Sequence, residues 1–447
     1  MRIPLLMAVL ACAVLVAPAL AAAQDGLLTG KQAFGGWRQD KPGVRRLIRP
    51  QDLPKPDPAQ SSVNAADAAA RPKEAVPLLP PGFSAKLIAS GIAGPRVVRV
   101  APNGDLFVSD SRRDRVLVYR LGEDGGKAQR SVFADGLNQP YGIAFYPADK
   151  PQWVYVANSD SVVRFPYRDG EMKASGEPEM IIPDIPSNHH WTRDILFSPD
   201  GRTLYLSVGS GSNVAEGMAD RPQGGLDKWL ASAAPGAAWG SEQGRAEVRA
   251  YDPDGRNGRV FATGLRNCSG MTVQPATGEL WCVVNERDGL GDNVPFEYAT
   301  TVKEGAFYGW PWYYLGDHED PRHVGERPDL AGKLTMPDVL MQAHSAPLNI
   351  AFYTGGNFPA DYKGDAFVAL HGSWNRGKRT GYKVVRLRFK DGKPTGEYED
   401  FMTGFVVSDA RVWGRPVGVA VAKDGSLIVS EDSNGTLWQV TYKQGAQ

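Results

Sequence analysis

A hairpin unit that recurs along the chain is the feature that most restricts how this sequence can fold. Each copy is an apolar strand, a turn built on Gly, Asp, Asn or Pro, and a second strand, as in VVRVAPNGDLFVSD. Alternating apolar residues bounded by such turns predict β-hairpins. No long segment shows a helical period. The copies begin at Val97, Tyr141, Asp194, Gly270, Leu348 and Val417.

Repeated hairpins leave sheet edges that must be protected, and radial packing around a central axis does this. Several copies continue into a third strand, for example DRVLVYRL and GTLWQVTY. We therefore predict an all-β chain that folds as a six-bladed β-propeller with an extended N-terminal arm. Seven blades are the alternative. Long insertions in the third or fourth unit, such as residues 215–244, are expected on the functional face.

The residues before the repeats divide into two further segments. Residues 1–23 have one early cation, an apolar core and small residues near the end, which is typical of a secretory signal peptide. A membrane anchor is the alternative for this segment. Residues 24–80 are rich in Pro, Ala and Asp and predict the arm, without a core of its own. Residues 81–447 then form the propeller, in a protein that we expect to be periplasmic or secreted.

Composition excludes several classes of partner and cofactor. The chain has 50 Lys and Arg and 50 Asp and Glu, so it lacks the basic excess of nucleic-acid-binding proteins. No later run is long and apolar enough to span a membrane, so we expect no span in the mature form. Cys268 and Cys282 flank a plausible hairpin turn, and in an oxidising compartment a disulfide is favoured. Two free buried thiols are the alternative. No Cys-x-x-Cys-His occurs, which excludes covalent haem.

Two adjacent histidines stand just before the inner strand of the third unit, in SNHHWTRDILFSPDG. Strand starts in a propeller converge on the mouth of the central channel, so we expect His189 and His190 there. A neutral imidazole in that place can take a proton from a hydroxyl, because its reference pKa of about 6.5 needs little adjustment. The alternative is a hydrogen-bonded rim histidine without a chemical role.

Arginines occupy the same pre-strand place in two other units. The fourth unit has Arg266 and Asn267, in GLRN, and the sixth has Arg411 and Arg415, in ARVWGRPVG. A guanidinium group can bind a carboxylate through two parallel hydrogen bonds or polarise a carbonyl oxygen. A surface salt bridge is the alternative for each of them.

Two loops add candidates for cation and anion binding. The loop VNERDGLGDN is rich in oxygen atoms that suit Ca²⁺, which accepts main-chain carbonyls as well as carboxylates. In HGSWNRGKRTGYK, Trp374 lies close to Arg376, and cations interleaved with an aromatic ring suit a planar anion. A solvated acidic turn and a solvated hairpin tip are the respective alternatives.

Taken together, the motifs HHWTR, GLRN, VNERDGLGD, FYGWPWYY, AHSAPL, FVALHGSWNR and GRPVGVAVAKDGSLIVSED resemble the pyrroloquinoline-quinone-dependent soluble sugar dehydrogenases. The likeness covers nearly all of residues 80–445 and is greatest to the branch called sorbosone dehydrogenase-like. It implies a six-bladed propeller that binds pyrroloquinoline quinone and Ca²⁺ on one face. It also implies that residues 81–447 are a catalytic domain.

The resemblance implies roles for the two pre-strand motifs of the third and fourth units. His190 matches the general base, and His189 takes the slot of an acidic neighbour. Arg266 and Asn267 match the pair that contacts the reactive carbonyl region of the cofactor. The implied catalytic residues are therefore His190 and Arg266.

The resemblance is incomplete where the cofactor carboxylates are concerned. Arg415 matches one of two arginines that bind them, but the partner position holds Val417, so that role is lost or has moved, with Arg411 as the candidate. Arg376 takes the place of a cofactor-binding lysine. The remaining candidates are His344 and Trp374 for the cofactor, and Glu286, Arg287 and Asp288 for Ca²⁺, mainly through main-chain oxygens.

The expected reaction is oxidation of an aldose sugar or a sugar-derived aldehyde, such as a sorbosone-like compound, to the lactone or acid. Hydride would pass to the quinone, and an external acceptor, a cytochrome or a quinone, would then take the electrons. Trp310 or Trp374 is available to stack on the sugar or cofactor. Six-bladed propellers also include calcium-dependent lactonases or esterases and non-catalytic binding proteins, and the fold alone does not separate these functions.

Overall fold

The computed structural model describes residues 26–122, 128–219 and 221–443, so the predicted signal peptide lies outside the described residues. These ranges contain thirty β-strands and one short α-helix, α1 (Leu226–Leu230), which confirms the all-β prediction. None of the helices in them has the length and apolarity that a bilayer crossing requires. The 3₁₀ helices within these ranges are Gly30–Phe34, Trp37–Gln39, Pro50–Asp52, Pro58–Gln60, Ser111–Arg113, Gly240–Glu242, Pro328–Leu330 and Ala360–Tyr362.

Within the described ranges, the strands form eight sheets, and six of these are the blades that the hairpin units predict. The strands that precede blade one are β1 (Leu27–Thr29), β2 (Arg45–Leu47), β3 (Asp67–Ala68) and β4 (Phe83–Ala89). Blade one has β5 (Pro95–Val100), β6 (Leu106–Asp110), β7 (Arg115–Arg120) and β8 (Gln129–Ala134). Blade two has β9 (Ile143–Tyr146), β10 (Trp153–Ala157), β11 (Val162–Pro166) and β12 (Glu179–Ile182). Blade three has β13 (Ile195–Phe197), β14 (Leu204–Val208), β15 (Glu247–Tyr251) and β16 (Arg259–Thr263).

The last three blades carry the additions to this plan. Blade four has β17 (Cys268–Val273), β18 (Leu280–Val284), β19 (Glu297–Thr301) and, after a hairpin of β20 (Tyr313–Tyr314) and β21 (His318–Glu319), β22 (Val339–Met341). Blade five has β23 (Pro347–Phe352), β24 (Ala366–Leu370), β25 (Lys383–Lys390) and β26 (Lys393–Met402), followed by β27 (Arg411–Val412). Blade six has β28 (Pro416–Val421), β29 (Leu427–Glu431) and β30 (Thr436–Tyr442).

The ring closes by pairing the two ends of the propeller. β4, which comes before blade one in the chain, is the outer strand of blade six, antiparallel to β30. The innermost strands β5, β9, β13, β17, β23 and β28 contact one another in that order, and β28 returns to β5. Because every blade has the same up-and-down order, the inner strands all begin at the same mouth of the channel.

Apolar side chains between neighbouring blades form the core. Val98, Val108 and Leu117 of blade one pack with Ile428 and Leu437 of blade six, and all five are fully buried. Each blade has a neighbour on both faces, so its middle strands are buried on both sides, as in the continuous apolar run of β18. The disulfide Cys268–Cys282 joins the two inner strands of blade four and confirms the favoured pairing.

The arm before residue 81 lies on blades five and six and adds strands to one of them. β2 pairs antiparallel with β26, β1 pairs parallel with β2, and β3 pairs parallel with β27. A buried ion cluster fixes the arm to blade five. Arg46 contacts Asp40 at 2.8 Å and Asp400 at 2.6 Å, and Lys383 contacts both carboxylates at 2.7 Å.

Replacing Asp40 by Ala should detach the arm from blade five. Arg46 and Lys383 would then share the single carboxylate of Asp400, and an under-compensated buried charge is costly, so we expect a loss of about 2 kcal/mol in unfolding free energy. Denaturant titration and limited proteolysis before residue 81 measure this. Asp409→Ala is the control, because its ion pair with Arg38 is exposed on both sides. Equal effects of the two substitutions would contradict the anchoring role.

Candidate active site

A cavity of about 210 Å³ lies at the mouth of the channel where the inner strands begin. Blades three, four and five supply its walls, from pre-strand segments and from the loops that follow β14, β18 and β24. The lining residues are His189, His190, Asn213, Arg266, Asn285, Glu286, Asp288, Glu297, His344, Ala346 and Trp374. Six of the residues predicted from the sequence are therefore brought together: His190, Arg266, Glu286, Asp288, His344 and Trp374.

A larger cavity, of about 970 Å³, opens at the turns between the first and second strands of blades one to four. Residues 198–201 and 274, 275 and 278 line part of it, and none of the predicted site residues does. These turns are at the strand ends away from the pre-strand segments. Cavity volume alone would therefore select the end of the channel that has no predicted site residue. The chemistry of the lining side chains identifies the smaller cavity as the candidate site.

His190 presents one ring nitrogen to the cavity because the other is held from behind. Its Nδ1 lies 2.8 Å from Ser210 Oγ and 3.1 Å from the Ser210 carbonyl oxygen. The Ser210 hydroxyl donates to the carbonyl of Ser212, so Nδ1 must carry the proton that it shares with Ser210. That leaves Nε2 as an unprotonated acceptor. Burial and the positive charge of Arg266 hold the pKa of His190 well below 6.5.

Buried arginines and a glycine hold the segment around His190. Arg193 and Arg245 both donate to the His190 carbonyl oxygen, at 2.7 and 3.0 Å. Gly209 lets His190 and Asn267 approach each other, because a Cβ there would lie 2.8 Å from His190 Cβ and 2.5 Å from Asn267 Oδ1. Asn267 is buried beside the cavity, where its Oδ1 accepts a hydrogen bond from Thr192.

His189 stands at the rim with a different environment. Its side chain is exposed, and its ring is perpendicular to that of His190 with 4.4 Å between centroids. The backbone at His189 is left-handed, with φ of 61°, a conformation that is uncommon for residues other than glycine and that occurs more often at functional sites. Partial burial, with the charge of Arg266, lowers its pKa.

Arg266 lies at the base of the cavity with most of its donors already used. Nε and Nη2 donate to the carbonyl and side-chain oxygens of Asn213, at 3.1 and 2.7 Å. Nη1 donates to the carbonyls of Asn285 and Glu286, at 3.0 and 2.8 Å. Its guanidinium carbon is 5.3 Å from the centre of the Trp310 ring. A guanidinium group has five N–H donors, so within the described part of the chain one N–H remains for a ligand.

Two buried carboxyl groups face this guanidinium. Burial raises the pKa of Glu286 to about 7 and that of Glu297 well above its usual range. Glu297 accepts a hydrogen bond from the Glu286 amide at 2.9 Å. Since burial makes the ionised forms costly, further positive charge in this cavity would stabilise them.

Asp288 and His344 form a pair on the same wall. His344 Nδ1 lies 3.0 Å from Asp288 Oδ1, and Nε2 lies 3.0 Å from the Gly291 carbonyl oxygen. Because a carbonyl oxygen only accepts, Nε2 carries a proton, and the second proton of the pair is shared between Nδ1 and Asp288. The pair orients a carboxylate toward the cavity.

Three carbonyl groups of the candidate Ca²⁺ loop, those of Asn285, Glu286 and Asp288, accept hydrogen bonds from arginines. Arg287 pairs with the Asp320 carboxylate at 2.7 Å, and its Nε donates to the Asp288 carbonyl at 2.9 Å, so its side chain points away from the cavity. Across the described ranges, no group of three or more His, Cys, Asp or Glu side chains is arranged to hold a metal ion. A cation here would rely on main-chain oxygens and on Glu286 and Asp288.

The two candidate residues in the hairpin of blade five lie in different places, one at the cavity and one beneath the arm. Trp374 lines the cavity and is 45% exposed. Arg376 is buried elsewhere, where it donates to the Phe34 carbonyl and to Asn293 Oδ1, at 2.6 and 2.9 Å. The structure therefore places Arg376 under the arm and outside the cavity lining, with its pKa lowered by burial to about 10.

The two arginines before blade six also separate. Arg411 is exposed and lies in β27, beside the arm strand β3. Arg415 lies at the channel mouth, with Nε 2.9 Å from Asp432. Sequence reasoning missed Arg96, at the start of β5, whose Nη1 is 3.2 Å from the other oxygen of Asp432. The position of Arg96 in the sequence could have indicated it, because Arg96 is next to a proline at the start of the inner strand of blade one, as Arg415 is in blade six.

Comparison with known proteins gives matches along most of the chain. A family model described as TrAA12-like matches residues 77–304 and 329–443. The pyrroloquinoline quinone-dependent pyranose dehydrogenase of Coprinopsis cinerea is 24% identical over 424 residues, with 81% of this chain and 54% of that protein covered. The chain spans about half the length of the first curated relatives that it matches.

Two solved structures have the same fold. The holo form of the pyranose dehydrogenase PQQ domain from Coprinopsis cinerea matches with a TM-score of 0.67 and 22% identity, covering 83% of this chain and 98% of that one. The calcium structure of the Trichoderma reesei carbohydrate-active enzyme of family AA12 matches with a TM-score of 0.67 and 22% identity, covering 82% and 97%. At this identity the likeness establishes the architecture and leaves the chemistry to the site.

Proposed function

The chain belongs to the TrAA12-like family, and from that premise we propose that it is a pyrroloquinoline-quinone-dependent sugar dehydrogenase. The observation that carries the proposal is the neutral His190, whose free Nε2 shares a cavity with the buried Arg266. A base beside a cation suits removal of a hydroxyl proton as negative charge develops nearby. The name of the Coprinopsis cinerea relative supports the cofactor and the substrate class.

The residues present fit the quinone cofactor. Arg266 has an N–H donor left for an electron-rich oxygen, and Trp374 offers an exposed ring face at the cavity wall. Arg415 supplies a half-buried cation at the same channel mouth, which suits a carboxylate. When bound, pyrroloquinoline quinone supplies an electrophilic carbonyl carbon that accepts hydride from the substrate.

The residues also fit Ca²⁺ in charge. Glu286, Asp288 and Glu297 line the cavity, and burial raises the pKa of Glu286 and Glu297, so a divalent cation would relieve the cost of ionising these two groups. The ligands we propose are carboxylate oxygens of Glu286 and Asp288 together with main-chain oxygens of their loop. Bound there, Ca²⁺ supplies a fixed positive charge for an oxygen that becomes anionic.

The protein's own part in the reaction is to position the substrate and move its proton. His190 Nε2 accepts the hydroxyl proton, and the resulting imidazolium keeps its Nδ1–H on Ser210. Arg193 and Arg245 keep the segment in place while this charge forms. The spare N–H of Arg266 stabilises negative charge that develops in the cavity.

The substrate that we propose is an aldose or a sugar-derived aldehyde of the sorbosone type, oxidised to the lactone or acid. An external acceptor then takes the electrons. We also propose that the protein works outside the cytoplasm. The Cys268–Cys282 disulfide supports this location, because such bonds persist in oxidising compartments.

The pH dependence of turnover should report the base. His190 has a pKa below 6.5 because burial and Arg266 disfavour its charged form, so it stays unprotonated from neutral pH into mild acid. We therefore expect kcat/KM to be flat from about pH 8 to 6.5 and to fall only below that value, since the free base is lost as it protonates. A half-maximal point above pH 7 in the acid limb would contradict this assignment.

Reconstitution tests the proposal as a whole. Purified apoprotein, given pyrroloquinoline quinone and Ca²⁺, should reduce an artificial dye with members of a panel of aldoses and sugar-derived aldehydes. Omitting either addition, or adding a chelator, should abolish the signal. Lactone hydrolysis that needs no quinone, with no dye reduction by any sugar, would favour a calcium-dependent lactonase and overturn the proposal.

A further inference from the structure

Two arginines from neighbouring blades share one buried carboxylate at the channel mouth. Arg415 comes just before β28, Arg96 lies in β5, and both contact Asp432, at 2.9 and 3.2 Å. His371, at the end of β24, adds a third contact to Asp432 at 3.0 Å. We call these four residues the mouth cluster.

The mouth cluster carries a net positive charge. Burial would raise the pKa of Asp432, but His371, Arg96 and Arg415 together hold it well below its usual range, so the carboxylate is ionised. Burial lowers the pKa of His371, which therefore stays neutral near pH 7. Two guanidinium charges thus face a single carboxylate charge, and one positive charge is uncompensated.

The two guanidinium groups are partly accessible to solvent and have N–H donors without a partner in the described ranges. The Asp432 side chain is 2% accessible, whereas those of Arg96 and Arg415 are 18% and 27% accessible. Within the described ranges, neither guanidinium forms an ion pair with any other carboxylate, and neither has a side-chain hydrogen bond beyond its contact with Asp432. Most of the five N–H groups on each therefore remain for a ligand, and a guanidinium group can bind a carboxylate through two parallel hydrogen bonds.

The cluster adjoins the candidate base. The guanidinium carbon of Arg96 lies 5.3 Å from the centre of the Trp191 ring, and Trp191 follows His190 directly in the chain. Arg96 lies at the start of the inner strand of blade one, and His190 and Arg266 precede the inner strands of blades three and four at the same mouth. An anion held by Arg96 and Arg415 would therefore lie at the same mouth as the reacting groups.

We propose that Arg96 and Arg415 form a pair that binds a carboxylate of the cofactor. In this pair Arg96 supplies the second positive charge, which Val417 cannot provide. This inference rests on the proposed function, because it takes the quinone cofactor as the ligand. The acid product of the reaction also has a carboxylate, so the test must separate the two.

The test measures affinity for pyrroloquinoline quinone in the apoprotein with Ca²⁺, by quenching of tryptophan fluorescence and by calorimetry. We expect Arg96→Met to weaken quinone binding at least tenfold and Arg96→Lys to recover part of the loss. Arg113→Met, an exposed arginine of the same blade, should leave the affinity unchanged. A thermal unfolding curve for each variant shows whether the fold is retained, and Arg96→Lys keeps the charge should Arg96→Met unfold.

The possible results separate this inference from the proposed function. Wild-type protein that binds no quinone would refute the proposed function itself. Wild-type binding with no change in either Arg96 variant would refute only the role of Arg96. If the Arg96 variants keep their quinone affinity but are inhibited less by gluconate, Arg96 binds the carboxylate of the acid product. That result would overturn the assignment to the cofactor.

Discussion

Replacing His190 by Ala should lower kcat about a thousandfold, because a positioned base contributes roughly 10² to 10⁴ to rate. The loss falls on kcat, since Nε2 takes a proton only as the substrate reacts. Affinity for the quinone should change little, because Arg266 and the cations at the mouth remain in place. Dye reduction under saturating sugar, together with a cofactor titration, measures both quantities.

His189→Ala is the matched control for this experiment. The neighbouring ring is exposed at the rim, and none of the hydrogen bonds in the described ranges uses it, so its removal should change kcat only slightly. Turnover that survives in His190→Ala but disappears in His189→Ala would show that the base is His189 and not His190. Turnover that survives in both would remove histidine from the mechanism.

The fold could be predicted because its information is local. Each blade is specified by a hairpin whose apolar alternation and turn residues lie within about twenty residues, as around Val97 and Val417. The closing strand β4 was not foreseen, because its pairing with β30 joins positions more than 340 residues apart in the chain. The sequence of the seven residues of β4 does not by itself predict pairing with β30.

The site was predictable where it follows from the propeller and not where it depends on packing. His190 and Arg266 meet because strand starts converge, and that rule needs only the hairpin register. Arg376 has a similar local sequence setting but lies under the arm, where Phe34 and Asn293 accept its hydrogen bonds. The course of the arm depends on distant ion pairs such as Arg46 with Asp400, which no local pattern encodes.

Replacing Arg266 by Lys should lower kcat by about a hundredfold or more while leaving the protein folded. The ammonium group keeps the positive charge but cannot reproduce a planar fork that contacts Asn213 and the carbonyls of Asn285 and Glu286 together. Loss of one donor that stabilises developing negative charge typically costs about 10² to 10³ in rate.

Arg266→Met separates charge from geometry at the same position. Without the guanidinium, Glu286 and Glu297 lose a positive charge that stabilises their ionised forms, so the pKa of Glu286 should rise above its present value of about 7. The carboxyl groups would then be protonated at neutral pH, and Ca²⁺, which binds the ionised form, should bind more weakly at pH 7 and recover at pH 9. Calcium titrations at the two pH values measure this recovery. Calcium affinity that is independent of pH in Arg266→Met would show that these carboxylates take no part in holding the cation.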